Sequence, residues 1–452
     1  MVDLMVNEQR SGTAGKDVPA GYKLTEVGVI PEDWVVISID DCTTKVGSGK
    51  TPTGGASVYI DSGRPFVRSQ NVDWGRLDLA DVVHITDETH NTFSGSEIQQ
   101  DDVLLNITGA SIGRCAKADF RVIGGNVNQH VCIIRTEAKK LSPSLLVELI
   151  NSNYGQNQID SYQAGGNREG LNFSQVKNLK FAITPNSFEQ TEIVRTLNDI
   201  NAFTLALENL IAKKQAIKAA AMQQLLTGKT RLPQFALRKD GSAKGYKKSE
   251  LGEIPEDWNC INLGELGNCI IGLTYKPEDT SDYGTLVLRS SNIQNNHLAY
   301  DDNVFVSIEP PERTIVKEGD ILVCVRNGSR QLIGKCALID KNAQGSAFGA
   351  FMSVFRTDIY GFTFHQFQSD IIQKQIAEVM GATINQITNK DMLGFKIPLP
   401  ENTEEQAAIA AIAAILSDMD KEIQILQQRL DKTRQLKQGM MQELLTGKIR
   451  LI

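Results

Sequence analysis

Residues 45–52, Lys-Val-Gly-Ser-Gly-Lys-Thr-Pro, carry the one spacing in this chain that points to nucleotide chemistry. Gly49, Lys50 and Thr51 match the end of a phosphate-binding loop, Gly-x4-Gly-Lys-Ser/Thr. The rest does not fit. The leading glycine belongs at 44, where Thr44 stands, and Pro52 keeps Thr51 out of the helical conformation that would aim N–H groups at a phosphate. The segment reads as a turn. Other catalytic signatures are missing. His84, His90, His130, His297 and His365 form no HExxH, and no Gly-x-Ser-x-Gly elbow occurs. Seven cysteines form no CxxC pair, so the expectation is free thiols in a reducing, cytoplasmic setting. No apolar run suits export or a membrane span, and residues 1–21 read as a polar tail.

The chain is written twice. "YKLTEVGVIPEDW" (22–34) returns as "YKKSELGEIPEDW" (246–258). "FVRSQNV" (66–72) matches "VLRSSNI" (287–293), and "LLTGKTRL" (225–232) matches "LLTGKIRL" (444–451). A constant offset near ~220 residues marks one duplicated unit. Where the first copy has "GSGKTP" the second has "GLTYKP" (272–277). The copies share a turn leaving a strand, not a phosphate cradle.

Each copy begins with short β-like runs such as "DVLLNI" and "DILVCV", followed by an amphipathic helix. Each ends in a long helix. Its start is expected at a capping box, Ser187 to Gln190 and Thr403 to Gln406, and its stop at Gly228 or Gly447. Between them runs a 3–4 apolar rhythm: Ile193, Leu197, Ile200, Leu207 and Ile211 in the first, Ile409, Ile412, Leu416, Met419 and Ile423 in the second. Such seams predict a coiled coil, with the two helices antiparallel. The expected fold class is α+β (mixed α/β): two similar globular domains joined by two long antiparallel helices, an internal duplication with pseudo-two-fold symmetry. The expected boundaries are 1–21 tail, 22–185 first domain, 186–228 first helix, 229–248 linker, 249–400 second domain, 401–447 second helix and 448–452 tail.

Two similar domains on a rod suit a repetitive linear ligand such as double-stranded DNA. In joint order, "IPEDW", a Pro…Glu-Gln helix start ("TPNSFEQ", "IPLPENTEEQ") and "LLTGKxRL", each twice, resemble the specificity subunit of type I restriction–modification systems over residues ~22–452. The resemblance implies two target-recognition domains reading a bipartite, asymmetric DNA site around a helical spacer. It implies two methyltransferase subunits docked on the spacer and restriction/translocase subunits joining them. It implies no catalysis and no cofactor in this chain. S-adenosylmethionine, ATP and Mg would belong to the partners.

Candidate DNA-binding residues follow from donor and acceptor chemistry, since Arg can fork to guanine and Asn or Gln to adenine. They are Arg68, Gln70, Asn71, Asn106, Thr108, Arg114, Arg168 and Asn172 in the first domain, and Arg289, Asn292, Arg326, Asn327, Arg330, Lys335, Asn385 and Gln386 in the second. Lys50, Tyr275 and Lys276 flank the shared turn. The bland reading of each is a polar strand end or surface loop. Trp34 and Trp258 read as core anchors. Charge opposes DNA binding: residues 25–185 hold 14 Lys and Arg against 19 Asp and Glu, and residues 251–400 hold 12 against 18. The positive groups must then gather on one face, or partners must hold much of the backbone. The competing reading is a coiled-coil protein scaffold without DNA recognition. A nucleotide hydrolase working through Lys50 is a distant third.

Overall fold

The computed structural model describes residues 18–163, 170–380, 385–401 and 406–451. The chain forms two compact units, Met1–Ala206 with Leu430–Ile452, and Leu207–Arg429. Each is built on a four-stranded antiparallel sheet. In the first the order is Thr43–Ser48, Val131–Thr136, Val103–Asn106, Cys115–Lys117. In the second it is Gly267–Ile271, Met352–Thr357, Ile321–Cys324, Cys336–Leu338.

The central strands carry apolar runs, Val103–Leu105, Val131–Ile134, Ile321–Cys324 and Val354–Phe355, because both faces are covered. Side chains alternate across a strand. Val103, Leu105, Cys132 and Ile134 join one core, which includes the helix Pro143–Asn151, while Leu104 and Ile133 join another beyond the sheet. The second unit repeats this, with Ile321, Val323 and Phe355 on one side and Leu322, Cys324 and Val354 on the other. A buried carboxylate braces each sheet. Asp102 accepts from Arg135 at 2.7 and 2.8 Å, and Asp320 from Arg356 at 2.7 and 2.7 Å. The cysteines are free, and burial pushes the Cys42 thiol up to about 11 and Cys132 to about 12, so they are packing groups rather than nucleophiles.

The long helices are Ser187–Leu225 and Gln406–Leu444, 39 residues each, or about 58 Å at 1.5 Å per residue. In the first unit Ile193 and Leu197 share a core with Leu444 and Leu445. In the second, Met222 and Leu225 share one with Ile409, Ile412 and Leu416. In each unit the start of one helix meets the end of the other, so the helices pair antiparallel.

The first helix starts differently from the expectation. Ser187 already lies inside it. Asn186 Oδ1 accepts from the Phe188 N–H at 3.0 Å, and Gln190, which is buried, turns away to the Ser142 N–H and the Thr184 carbonyl. A short asparagine serves as cap, and the glutamine ties down the preceding loop. The box at Thr403 lies outside the described residues. The stops are as expected, with Gly228 at φ +70° and Gly447 at φ +68°.

These stops explain the repeated motifs. A Cβ on Gly447 would lie 2.6 Å from Pro31 Cγ and 3.0 Å from Trp34, and one on Gly228 would lie 2.3 Å from Pro255 Cγ. Each "IPEDW" is therefore seated against the "LLTGK" of the other copy. Arg450 adds bidentate bonds to Asp33 (2.8 and 2.7 Å) and Glu189 (2.6 and 2.9 Å), and lies over the Trp34 ring. Arg231 bonds Asp257 likewise. Trp34 and Trp258 are buried anchors, as read from sequence.

Candidate nucleic-acid interface

Five segments meet at one end of each central sheet, tied by four backbone bonds of which the last three match between the domains. In the first domain Gly49 N–H donates to Asn128 O, Asn128 N–H to Val67 O, Ile107 N–H to His130 O, and Leu171 N–H to Ile107 O. In the second, Leu273 N–H donates to Phe348 O, Gly349 N–H to Leu288 O, Val325 N–H to Phe351 O, and Ile387 N–H to Val325 O. The matching bonds set positions in register. Thr108 bridges to Gly170 as Arg326 does to Gln386, so Thr108 corresponds to Arg326 and His130 to Phe351. Gly49 and Gly272 mark the opening turn. Strand pairing sets Gly49, rather than the Gly47 that the sequence alignment gives, opposite Gly272, since Ser48 pairs with Cys132 as Ile271 does with Ser353. A Cβ would sit 1.7 Å from Val127 O at Gly49 and 2.2 Å from Gly349 O at Gly272, so both positions need glycine. Residues 49–53 are not helical, so Lys50 opens no helix; its ammonium lies 5.5 Å from the Phe93 ring centre.

Three predicted readers are structural. Asn71, Asn106 and Asn292 are fully buried. Asn71 Oδ1 accepts from Arg68 N–H at 3.0 Å, and its Nδ2 donates to Asp78 O and Asp81 Oδ1. Asn292 does the same for Arg289 N–H at 2.9 Å, donating to Ala299 O and Asn303 Oδ1. Asn106 Nδ2 donates to Ser69 O and Val72 O, fixing the Arg68 loop to the sheet. Asn172 is exposed but caps its own short helix, accepting from Gln175 N–H at 2.9 Å. These four side chains position loops. The three buried amides have no edge to offer a base, although Asn106 Oδ1 has no hydrogen-bond partner where it is buried.

Arg68 and Arg289 stand half-buried above these asparagines. Arg68 Nη2 donates to Asp81 O at 2.9 Å and lies over the Tyr59 ring. Arg289 Nη2 is 3.0 Å from Asp302 Oδ2. The Nε of each is buried without a hydrogen-bond partner. Gln70 is exposed and donates to Asp81. Arg114 lies 3.6 Å from Asp73. Asn327 bonds Ser290 Oγ at 3.1 Å, and Asn385 donates to Gly328 O at 3.0 Å, so the two loops hold each other. Arg330 is exposed and donates to Met380 O at 3.0 Å. Lys276 is exposed, while Tyr275, Lys335 and Gln386 are half-buried. Arg168 lies outside the described residues.

Residues that the sequence reading passed over complete the surface. In the first domain Thr51 donates to Gln129 Oε1, Gln129 Nε2 is 2.9 Å from His130 Nε2, and His130 Nδ1 bonds Thr108. In the second, Ala350 and Phe351 occupy the turn positions of Gln129 and His130, and Arg326 lies 5.2 Å over the Phe351 ring. The clamping Asp81 and Asp302 each follow their arginine by 13 residues. That shared spacing is a signal the sequence did contain. Among the described residues no group of three or more His, Cys, Asp or Glu could hold a metal, and no helix is long and apolar enough to cross a membrane.

Comparison with known proteins gives one family. The type I restriction modification DNA specificity domain matches residues 31–219 and 255–435. A relative assigned as the MjaX specificity subunit of a type I restriction enzyme in Methanocaldococcus jannaschii is 27% identical, over 95% of this chain and 97% of its own. The EcoKI specificity subunit of Escherichia coli K12 is 24% identical, over 70% and 66%. The solved S subunit of a type I system from M. genitalium shares the fold with TM-score 0.55 and 16% identity, covering 91% of this chain and 96% of that one. A chain from a structural study of type I assembly and conformational transition gives TM-score 0.52 at 17% identity, covering 93% and 99%. With both copies matched, the chain belongs to the specificity-subunit family of type I restriction–modification systems, a recognition component and not a catalytic one.

Proposed function

We propose that each domain reads one part of a bipartite, asymmetric double-stranded DNA site through the five-segment end of its sheet. The observation that carries this is an identical scaffold with unlike outward residues. Arg68 and Arg289 are held the same way, whereas Thr108, Gln129 and His130 face Arg326, Ala350 and Phe351 at matching positions. Conserved support with divergent tips suits two readers of two different sequences. The long helices act as spacer and dock two methyltransferase subunits, with restriction/translocase subunits joining that assembly. Apolar side chains exposed along them support docking, among them Ile425 at 64% and Leu436 at 59%. S-adenosylmethionine, ATP and Mg act in the partners. Because both domains are net acidic, the chain alone binds DNA weakly and the assembled complex binds it tightly.

The test is co-purification with the methyltransferase subunit followed by salt-dependent binding to a pool of duplexes. Selection of a two-part motif supports the reading. A stable protein complex with no salt-sensitive DNA binding favours the protein-scaffold alternative.

A further inference from the structure

The second domain carries an open cleft of about 790 Å³ that includes the flank of its proposed reading surface. Leu273, Tyr275, Val304, Phe351 and Met352 line it, with Arg289 at one side. Phe351 is 57% exposed although it immediately precedes the core strand Met352–Thr357. Arg326 lies over that ring, 5.2 Å from its centre. Arg326 has no carboxylate partner among the described residues, so a cation stands ready beside an apolar floor. At the matching place the first domain is polar, with Lys50 for Leu273, Gln129 for Ala350 and His130 for Phe351, the last two joined in a chain of hydrogen bonds.

Resting on the reading above, we propose that this cleft recognises the 5-methyl group of a thymine in the half-site read by the second domain. The reason is chemical. In the major groove the base edges present donors and acceptors and one apolar group, the thymine methyl. An exposed aromatic ring in a DNA-reading surface has that one apolar partner to bury against. The unneutralised Arg326 fits the anionic neighbourhood, on a phosphate or on an adjacent guanine. The first domain carries His130 where the second carries Phe351, so it offers no such ring at that position.

The test uses the complex with its methyltransferase subunits on its own selected site. Each thymine is replaced in turn by deoxyuridine, which removes the methyl and nothing else. One position in the second half-site should lose about three- to fivefold in affinity, the worth of one buried methyl group. In Phe351→Ala that thymine-to-uracil ratio should fall to about one, and Phe351→Leu should keep part of it. Deoxyuridine in the first half-site should act identically on wild type and variants. Because Phe351 is exposed, the variants should fold, and the wild-type uracil scan needs no variant. A second half-site without thymine, a silent uracil scan, or a ratio unchanged in Phe351→Ala overturns the proposal while leaving DNA reading intact. Failure of the wild-type complex to select any DNA sequence overturns the reading beneath it instead.

Discussion

The two domains share nearly all that holds their loops and little of what those loops present. Asn71 and Asn292 make the same bond to an arginine N–H, and Asp81 and Asp302 clamp the same two guanidinium groups. Beyond that frame the first domain offers a Thr–Gln–His–Thr network and the second an arginine stacked on phenylalanine. Support is constrained by burial, where a lost partner leaves an unsatisfied polar group. The tips face outward and can diverge at little cost to folding. Specificity can therefore change without refolding the domain.

The largest difference to exploit lies in the two motif locks. Arg450→Ala takes the charge-assisted bonds from Glu189, whose buried side chain keeps only Thr184 and the Leu451 backbone, and should cost about 1.5–3 kcal/mol. Arg231→Ala should cost less, because Lys244 stays 2.9 Å from Asp257. Hydrogen exchange of residues 22–38 against 246–262 reads each lock separately. Equal loss in both would break the contrast. Glu189 and Asp33 both titrate below the usual carboxylate range. For Glu189 the cost of burial is outweighed by its bonds to Arg450; for Asp33 the Arg450 bond comes first. Their contribution is present at neutral pH and is lost as pH falls through the acidic range.

Next come the clamped arginines. Arg68→Ala should relax one half-site and Arg289→Ala the other, each by about 1–3 kcal/mol if the contact is bidentate. Competition against single-base variants of the site measures this. An equal effect on both halves would remove base reading from these residues.

A smaller contrast concerns pH. Glu148 and His365 hold the same place in matching nine-residue helices, Pro143–Asn151 and Tyr360–Gln368, and both are buried. Burial raises the Glu148 pKa, against the pull of Lys437 and Asn201. Its contribution is intact at low pH and lost as pH rises. Burial, helped by Lys218, lowers His365 to about 4 from 6.5, so its contribution is intact above ~6.5 and lost as pH falls toward 4. Glu148→Gln should flatten the fall in the first unit's stability as pH rises above the ordinary carboxylate range, and His365→Gln the fall in the second's as pH drops toward 4. Exchange rates of each unit against pH decide, and slopes of the same sign in both would contradict the assignment. The smallest effect is none. Lys50→Ala should leave ATP turnover by the assembled complex unchanged, since its turn opens no helix. Lost turnover with DNA binding intact would reverse that.

The architecture was readable in the sequence because duplication, a 3–4 seam and glycine stops are local or periodic signals. Gly228 and Gly447 adopt the left-handed turn as anticipated. The helix start was misread at Ser187, since any short polar residue nearby can cap and only packing chose Asn186. The site was legible as a set of loops but not as orientations. Asn71, Asn106 and Asn292 look outward in a polar string, yet are fully buried, because long-range carbonyls claim their amides. Phe351 and His130 gave no signal, because comparing copies highlights what they share and these positions differ.

The central claim is that two domains read two halves independently. Its most direct test is methylome sequencing of a host carrying this chain with its partners, beside the same host carrying Arg289→Ala. The account predicts a two-part methylated motif with a fixed unread gap, and in the variant a relaxed second half beside an unchanged first half. A single continuous motif, or a variant in which both halves change together, would contradict it.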